Sequence, residues 1–256
     1  MYNKKCNNTK EEEKAIMLLK KIKKKFSDSK YRHEYKYEID IQQAIILKER
    51  LSKIIDKDRH VGESGSYRIR SLYFDDYEDS CFYDNENGVD PREKFRIRIY
   101  NGDSSIIRLE LKRKEAGKTL KTSCKIRKDQ TEILMRGERI QWEDDMPPLL
   151  KKLYIYQETR NLTPKVIVEY DRIPFVHKDG NVRVTLDMDI CSSNRIDQFL
   201  NKDIIRRPIM PKGKHLLEVK YDEFLPDFIE NTAKLKNLGQ TTYSKYYLCR
   251  KFGGMV

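Results

Sequence analysis

From Arg32 to Tyr221, apolar residues recur at every second position in run after run, and the positions between them are charged. Successive strand residues point to opposite faces, so each run has an apolar face and a charged one. Arg92, Lys94, Arg96 and Arg98 share a face, opposite Phe95, Ile97 and Ile99. Arg108, Glu110, Lys112 and Lys114 oppose Ile107, Leu109 and Leu111. Lys121, Ser123, Lys125 and Arg127 oppose Leu120, Thr122, Cys124 and Ile126. Glu34, Lys36 and Glu38 alternate with Tyr35, Tyr37 and Ile39. Arg183, Thr185 and Asp187 oppose Val182, Val184, Leu186 and Met188, while Glu218 and Lys220 oppose Leu217, Val219 and Tyr221. An ordinary half-buried strand has one solvated face of mixed character. Here that face is ionic throughout.

The strand-like runs are 32–39, 67–74, 93–100, 106–114, 119–127, 165–173, 181–189 and 215–221. Helical spacing appears around Ile45–Ile55 and at 129–139, 147–160, 223–236 and 242–252, and Asp75–Asp79 reads as a turn into a short helix. About eight strands are enough to close a barrel. The helices must bury their apolar stripes, and the apolar face of the sheet is the available partner. The expected fold is therefore α+β: an eight-stranded antiparallel β-barrel with a charged interior and helices packed outside. Unpaired charge is too costly for a dry core, so the interior would be a wet tunnel or one filled by an ionic ligand. An antiparallel sheet with an open, solvated charged face satisfies the same pattern. Residues 1–30 read as a basic N-terminal extension, with Ala15, Ile16, Leu18, Leu19 and Ile22 at helical spacing among lysines. It serves either as a solvated helix packed on the body or as a docking or membrane-surface element. Residues 31–256 read as one domain, with no repeat and no linker.

Charge narrows the ligand. The 256 residues hold 53 Lys+Arg against 41 Asp+Glu, a formal net charge of +12. Such a balance favours a polyanion: nucleic acid, an anionic membrane or a phosphate-rich small molecule. Hydrophobic residues are only 38% of the chain, yet 16 tyrosines and few Pro or Gly mark it as folded. No run approaches the roughly 18 apolar residues of a membrane span. The first residues, Met1 to Cys6, lack the apolar core of a signal peptide. The expected location is the cytoplasm, with peripheral membrane contact through the basic extension. Cys6, Cys81, Cys124, Cys191 and Cys249 are odd in number and scattered, which excludes a disulfide framework and a Cys-x-x-Cys zinc site. His33, His60, His177 and His215 lie far apart, and no Ser/His/Asp grouping is evident. Gly117-Lys118-Thr119 imitates the end of a P-loop, but the earlier glycine would fall at Lys112. Trp142 reads as a packing residue.

On the charged face, Lys and Arg suit phosphate oxygens, and Lys125 and Lys220 are candidates on that ground alone. Glu and Asp there suit Mn²⁺ or Mg²⁺. A metal inside a ring of cations is what phosphoryl transfer requires, because its catalysis is mostly positioning and charge neutralisation.

Glu34-Tyr-Lys36-Tyr-Glu38, Arg96-Ile-Arg98 and Glu110-Leu-Lys112 resemble the signature of triphosphate tunnel metalloenzymes. More closely, the chain resembles their VTC domain branch, the polyphosphate polymerases. Ser71–Asp75, Arg92–Arg98, Tyr170–Phe175, Val182–Asp187, Leu217–Lys220 and Tyr243–Tyr246 support this, so the likeness covers about residues 31–250. The resemblance implies an eight-stranded tunnel whose basic walls bind triphosphate or polyphosphate. Lys36, Arg96, Arg98, Lys112, Arg183 and Lys245 match its catalytic, phosphate-binding cations, and Arg172 is a further one of different strand parity from Glu169 and Asp171. Glu218 matches the metal ligand, and Glu110 and Glu34, with Glu38, are further acids that could touch metal or hold a lysine. The order Glu34-x-Lys36-x-Glu38 departs from the Glu-x-Glu-x-Lys of simpler triphosphatases. The implied partners are ATP and polyphosphate. Fungal members join this domain to a phosphate sensor and membrane spans, so a separate membrane protein could serve as a partner here.

The expected function is a metal-dependent polyphosphate polymerase that moves the terminal phosphoryl group of ATP to a growing chain. The alternatives are a triphosphatase of the same fold and a non-catalytic module for polyphosphate or inositol phosphates. Nucleic acid is not expected, because RNA binding adds exposed aromatics and the tyrosines, Tyr35 and Tyr37 among them, look like packing opposite the charges.

Overall fold

The computed structural model describes residues 30–58, 61–62, 64–233 and 237–253. The basic segment expected as an N-terminal helix, with Cys6, lies outside the described residues, as does His60. Eight long strands form the main path of one antiparallel sheet: β1 (His33–Asp40), β2 (Tyr67–Asp75), β3 (Arg92–Tyr100), β4 (Asp103–Glu115), β5 (Lys118–Ile126), β6 (Thr163–His177), β7 (Val182–Ser193) and β8 (Lys214–Tyr221), and the two-residue strands Asp56–Lys57 and Arg207–Pro208 pair with β6 and β7. Their spatial order is β1-β8-β7-β6-β2-β3-β4-β5. The helices are α1 (Ile41–Leu51), α2 (Ser80–Glu86), α3 (Lys128–Met135), α4 (Pro148–Arg160), α5 (Asp227–Thr232) and α6 (Lys245–Gly253).

Local chemistry fixes these boundaries. Asp40 ends β1 and caps α1: its side chain accepts from the Gln43 amide while the Gln43 side chain accepts from Asp40, a capping box. The two-residue turns Asn101-Gly102 and Ala116-Gly117 all have positive φ, as a tight hairpin between twisted strands requires. Gly117 is thus a turn residue and has no phosphate-loop role.

The apolar faces of β3, β4 and β5 (Phe95, Ile97, Ile99, Ile107, Leu109, Leu111) pack on Leu134 of α3 and on Leu149, Leu150 and Leu153 of α4. The same face of β1, β7 and β8 packs on Ala44, Leu47 and Leu51 of α1 and Ile229 of α5. A third cluster caps one end of the curled sheet, where Tyr246 and Cys249 of α6 meet Val166, Val168, Ile190 and Leu216.

The sheet curls until its edge strands meet, but it closes at one point. Arg32 and Thr119 exchange two backbone hydrogen bonds of 2.9 Å. Further along, the free edge of β1 pairs instead with the segment before α6: the Thr241 amide donates to the Lys36 carbonyl at 2.8 Å, and Tyr37 bridges Gln240. The tunnel wall is therefore eight strands plus this strap. The charged strand faces look inward.

Candidate functional site

A cavity of about 720 Å³ runs along the inner face. Its wall takes cations from seven strands and α6, among them Lys36 from β1, Arg96 and Arg98 from β3, Lys112 and Lys114 from β4, Lys121 from β5, Arg172 from β6, Lys220 from β8 and Lys245 from α6. Arg183 of β7 joins them, as do Lys94 and, toward the rim, Arg32, Arg92 and Lys118. The carboxylates lining it are Glu34 and Glu218.

Several of these cations face one another directly. Lys94 is the cross-strand partner of Lys112, Arg92 of Lys114, and Lys112 of Lys121. Like charges directly opposite destabilise a sheet. Burial separately makes two of these lysines costly to ionise. Burial, with Arg92 and Lys36 nearby, pushes Lys94 down to about 8. Burial pushes Lys112 down to about 7, even though its Nζ donates to Glu34 at 2.7 Å.

The carboxylates differ in what they have left to offer. Glu110 is fully buried and spent: Arg96 donates to it twice, at 2.8 and 2.6 Å, Lys121 donates at 3.1 Å, and Arg98 lies 3.6 Å away. Burial alone would raise it, but Arg98 and Arg96 hold it well below the usual carboxylate range. It is an anchor for cations, and the metal role expected for it has no free oxygen to serve it. Glu34 binds Lys112 and Lys36 (3.1 Å) through Oε1, while its buried Oε2 has no hydrogen-bond partner. Glu218 meets Lys220 at 2.6 Å, Arg172 at 3.6 Å and Lys36 at 4.0 Å. Burial raises its pKa, but Lys220, Lys245 and Arg172 together hold it well below the ordinary value. Lys36 touches both acids, so Glu34 and Glu218 flank a single ammonium. Among the described residues no cluster of three or more His, Cys, Asp or Glu could hold a metal by itself.

The structure gathers nearly all the residues expected from sequence. Lys36, Arg96, Arg98, Lys112, Arg172, Arg183, Lys220, Lys245, Glu34 and Glu218 all line the cavity. The parity of Arg172 resolves cleanly: Arg172 points in, while Glu169 pairs with Arg70 and Asp171 with Arg68 elsewhere. Lys125 does not join them. It is exposed and lines a separate depression with Arg127 and Glu143, because the inner face of β5 leaves the tunnel beyond Lys121. Glu38 is also exposed and lies 3.6 Å from Lys214.

Two features escaped sequence reasoning. Asp187 is fully buried and takes Arg172 at 2.6 and 2.7 Å and Lys245 at 2.6 Å. Its strand parity with Arg183 was the available signal. The second is aromatic: Tyr67, Tyr73, Tyr170 and Tyr246 line the cavity, contrary to the expectation that tyrosines fall on the apolar face. Their alternation with Arg68, Leu72 and Phe74 or with Glu169 could be read either way, since a tyrosine satisfies both faces. The described histidines take no part in the cavity's ion network: His177 pairs with Asp179, His215 is buried, and His33 stacks on Tyr221 at the cavity edge. The described cysteines are free thiols. No helix among the described residues is long and apolar enough to cross a membrane.

The family described as the VTC domain matches residues 31–252. No curated protein matches the sequence. Among solved structures, a candidate adenylate cyclase from Bacillus halodurans is similar at 15% identity, covering 84% of this chain and 95% of its own, with a TM-score of 0.49. A candidate adenylyl cyclase from Hippeastrum, described as having a dominant triphosphatase activity, matches at 14% identity over 88% of this chain and 97% of its own, TM-score 0.47. The Mimivirus capping enzyme triphosphatase matches at 11% identity over 88% and 95%, TM-score 0.39.

Proposed function

This chain belongs to the VTC domain family, and we propose that it is a polyphosphate polymerase working inside the basic cavity. The observation that carries the reading is the set of like-charged neighbours, Lys94 with Lys112, Lys112 with Lys121 and Arg92 with Lys114, held on the wall of one cavity. Such an arrangement is unfavourable when empty and is relieved by a ligand carrying closely spaced negative charges.

In the reaction, a terminal oxygen of the polyphosphate chain attacks the γ-phosphorus of ATP. The bond from that phosphorus to the bridging oxygen breaks, and ADP leaves with the electron pair. Arg96 and Arg98 neutralise charge on the transferred group, while Lys36, Lys112 and Lys220 hold neighbouring phosphates in line. Arg172 and Lys245, braced by Asp187, do the same beside Tyr170. A bound Mn²⁺ or Mg²⁺ supplies further neutralisation of phosphate oxygens. Glu34 and Glu218 are the residues that would hold it, since Glu34 Oε2 is a buried oxygen without a partner, and a hard cation of this kind needs only one or two carboxylates beside the phosphates.

Purified protein incubated with ATP and Mn²⁺ should yield polymer on a gel that resolves polyphosphate. Release of phosphate without polymer would instead establish a triphosphatase, and absence of turnover with every divalent metal would leave a binding module. Tripolyphosphate at about 100 times its Kd should stabilise the fold by about 2.7 kcal/mol, and added salt should weaken this by screening.

Binding should also take up protons. At pH 8 Lys112, at about 7, is largely neutral in the empty protein, and Lys94, at about 8, is half so. A polyanion favours the ammonium forms and raises both. Affinity for tripolyphosphate should therefore fall as pH rises above 7. Calorimetry at pH 8 in two buffers of different ionisation enthalpy should give net proton uptake. Equal heats in both buffers would mean that these lysines are already charged in the empty protein.

A further inference from the structure

Tyr170 of β6 is 3% exposed and performs no chemistry in the reaction above, yet it touches three of the cations that reaction uses. Arg98 Nη2 of β3 donates to its hydroxyl at 3.4 Å. The Arg172 guanidinium lies 5.3 Å from its ring centroid, and Lys245 Nζ of α6 lies 4.8 Å from it. The three cations come from three elements, and Asp187 is the carboxylate that reaches two of them, Arg172 and Lys245.

A cation can be fixed in place by a carboxylate or by a neutral group. A carboxylate fixes it and cancels its charge, as Glu110 does for Arg96. A phenol fixes it through its hydroxyl and through the negative face of its ring, and leaves the charge available. Arg98 combines the two, because its hydrogen bonds go to the hydroxyls of Ser71 and Tyr170 while Glu110 lies 3.6 Å from it. Other tyrosines touch arginines of the wall: Arg96 donates to Tyr73 and Arg183 to Tyr67, both at 2.8 Å. Each of those tyrosines touches one cation, which also holds a carboxylate, Glu110 or Asp58, whereas Tyr170 touches three.

We propose that Tyr170 is a positioning residue that holds Arg98, Arg172 and Lys245 together on the cavity wall, as a phenol that adds no negative charge to that of Asp187 and Glu110. The proposal rests on the reading of the cavity as a triphosphate or polyphosphate site. Its test is calorimetric titration of the full chain with inorganic tripolyphosphate, metal-free and well below the melting temperature. Wild type is compared with Tyr170→Phe and Tyr170→Leu, and the melting temperature of each empty protein is recorded. Tyr170→Phe keeps the ring and should weaken binding only about threefold, the loss of one long hydrogen bond. Tyr170→Leu loses both contacts and should weaken it by about tenfold or more. A merely structural tyrosine would lower the melting temperature of the leucine variant and leave the affinity of its folded form unchanged, which would overturn the proposal. Should the leucine variant not fold, a phenylalanine variant that binds no better than Arg98→Ala would overturn it equally, since the ring would then be doing nothing. Failure of wild type to bind tripolyphosphate would overturn the site reading itself, and the proposal with it.

Discussion

Arg98→Ala is expected to lower kcat/KM for ATP by about 10³-fold while leaving the empty protein about as stable as wild type. The arginine lies on the cavity side, with Ser71 and Tyr170 hydroxyls as its hydrogen-bond acceptors. Removing it frees two neutral hydroxyls, relieves repulsion from the cations around it and gives up a 3.6 Å contact with Glu110, which keeps Arg96 and Lys121. Arg96→Ala should abolish turnover similarly but behave differently on heating. Its loss takes two hydrogen bonds from Glu110, which has no exposure, and breaking a buried ion pair from one side costs about 3 kcal/mol. Between them in sequence, Ile97 lies in the apolar cluster, and Ile97→Ala should cost about 2–5 kcal/mol with no direct effect on phosphate contacts. Thermal unfolding of the three variants beside their turnover rates separates the roles. An Arg98→Ala protein that melts as early as Ile97→Ala would contradict the wet-face assignment.

Glu218→Gln should lose about 100-fold in turnover at low Mn²⁺ and recover part of it at high Mn²⁺, because the amide keeps the shape but not the charge a hard cation requires. Without metal, the same variant should bind tripolyphosphate at least as tightly as wild type, since one negative charge has left a site built for anions. The competing role is an ion-pair partner for Lys220, which lies 2.6 Å away. In that role the amide would lower stability and leave the Mn²⁺ dependence alone. Glu110→Gln is the informative companion. Its oxygens are occupied by Arg96 and Lys121. It should therefore reduce stability without moving the metal titration. A Mn²⁺ curve for Glu218→Gln that overlays the wild-type curve would exclude Glu218 as a ligand.

Period-two alternation of Phe95, Ile97 and Ile99 with Arg96 and Arg98, repeated in the flanking strands, was sufficient to specify a charged face and an apolar face covered by helices, but not whether the charged face curls into a tunnel or stays open. A pleated strand has only two faces, and the helices have an apolar stripe to bury. Strand parity likewise put Lys36, Lys112, Arg183 and Glu218 on one surface before any pairing was known. Parity is silent on what lies across the cavity. It cannot distinguish Glu110, surrounded by Arg96, Arg98 and Lys121, from Glu34, which keeps a free oxygen, because their neighbours come from other strands. It could not foresee that β5 carries Lys121 into the tunnel and Lys125 out of it, which depends on how far the sheet curls. Nor could it assign the tyrosines. An arginine on a strand declares its face by its charge, whereas Tyr170, apolar in body and polar at its tip, is compatible with either face until the fold brings Arg98, Arg172 and Lys245 around it. Periodicity thus determined which side of the sheet is charged, and the tertiary structure decided which of those charges are cancelled, because cancellation depends on distances between residues remote in sequence.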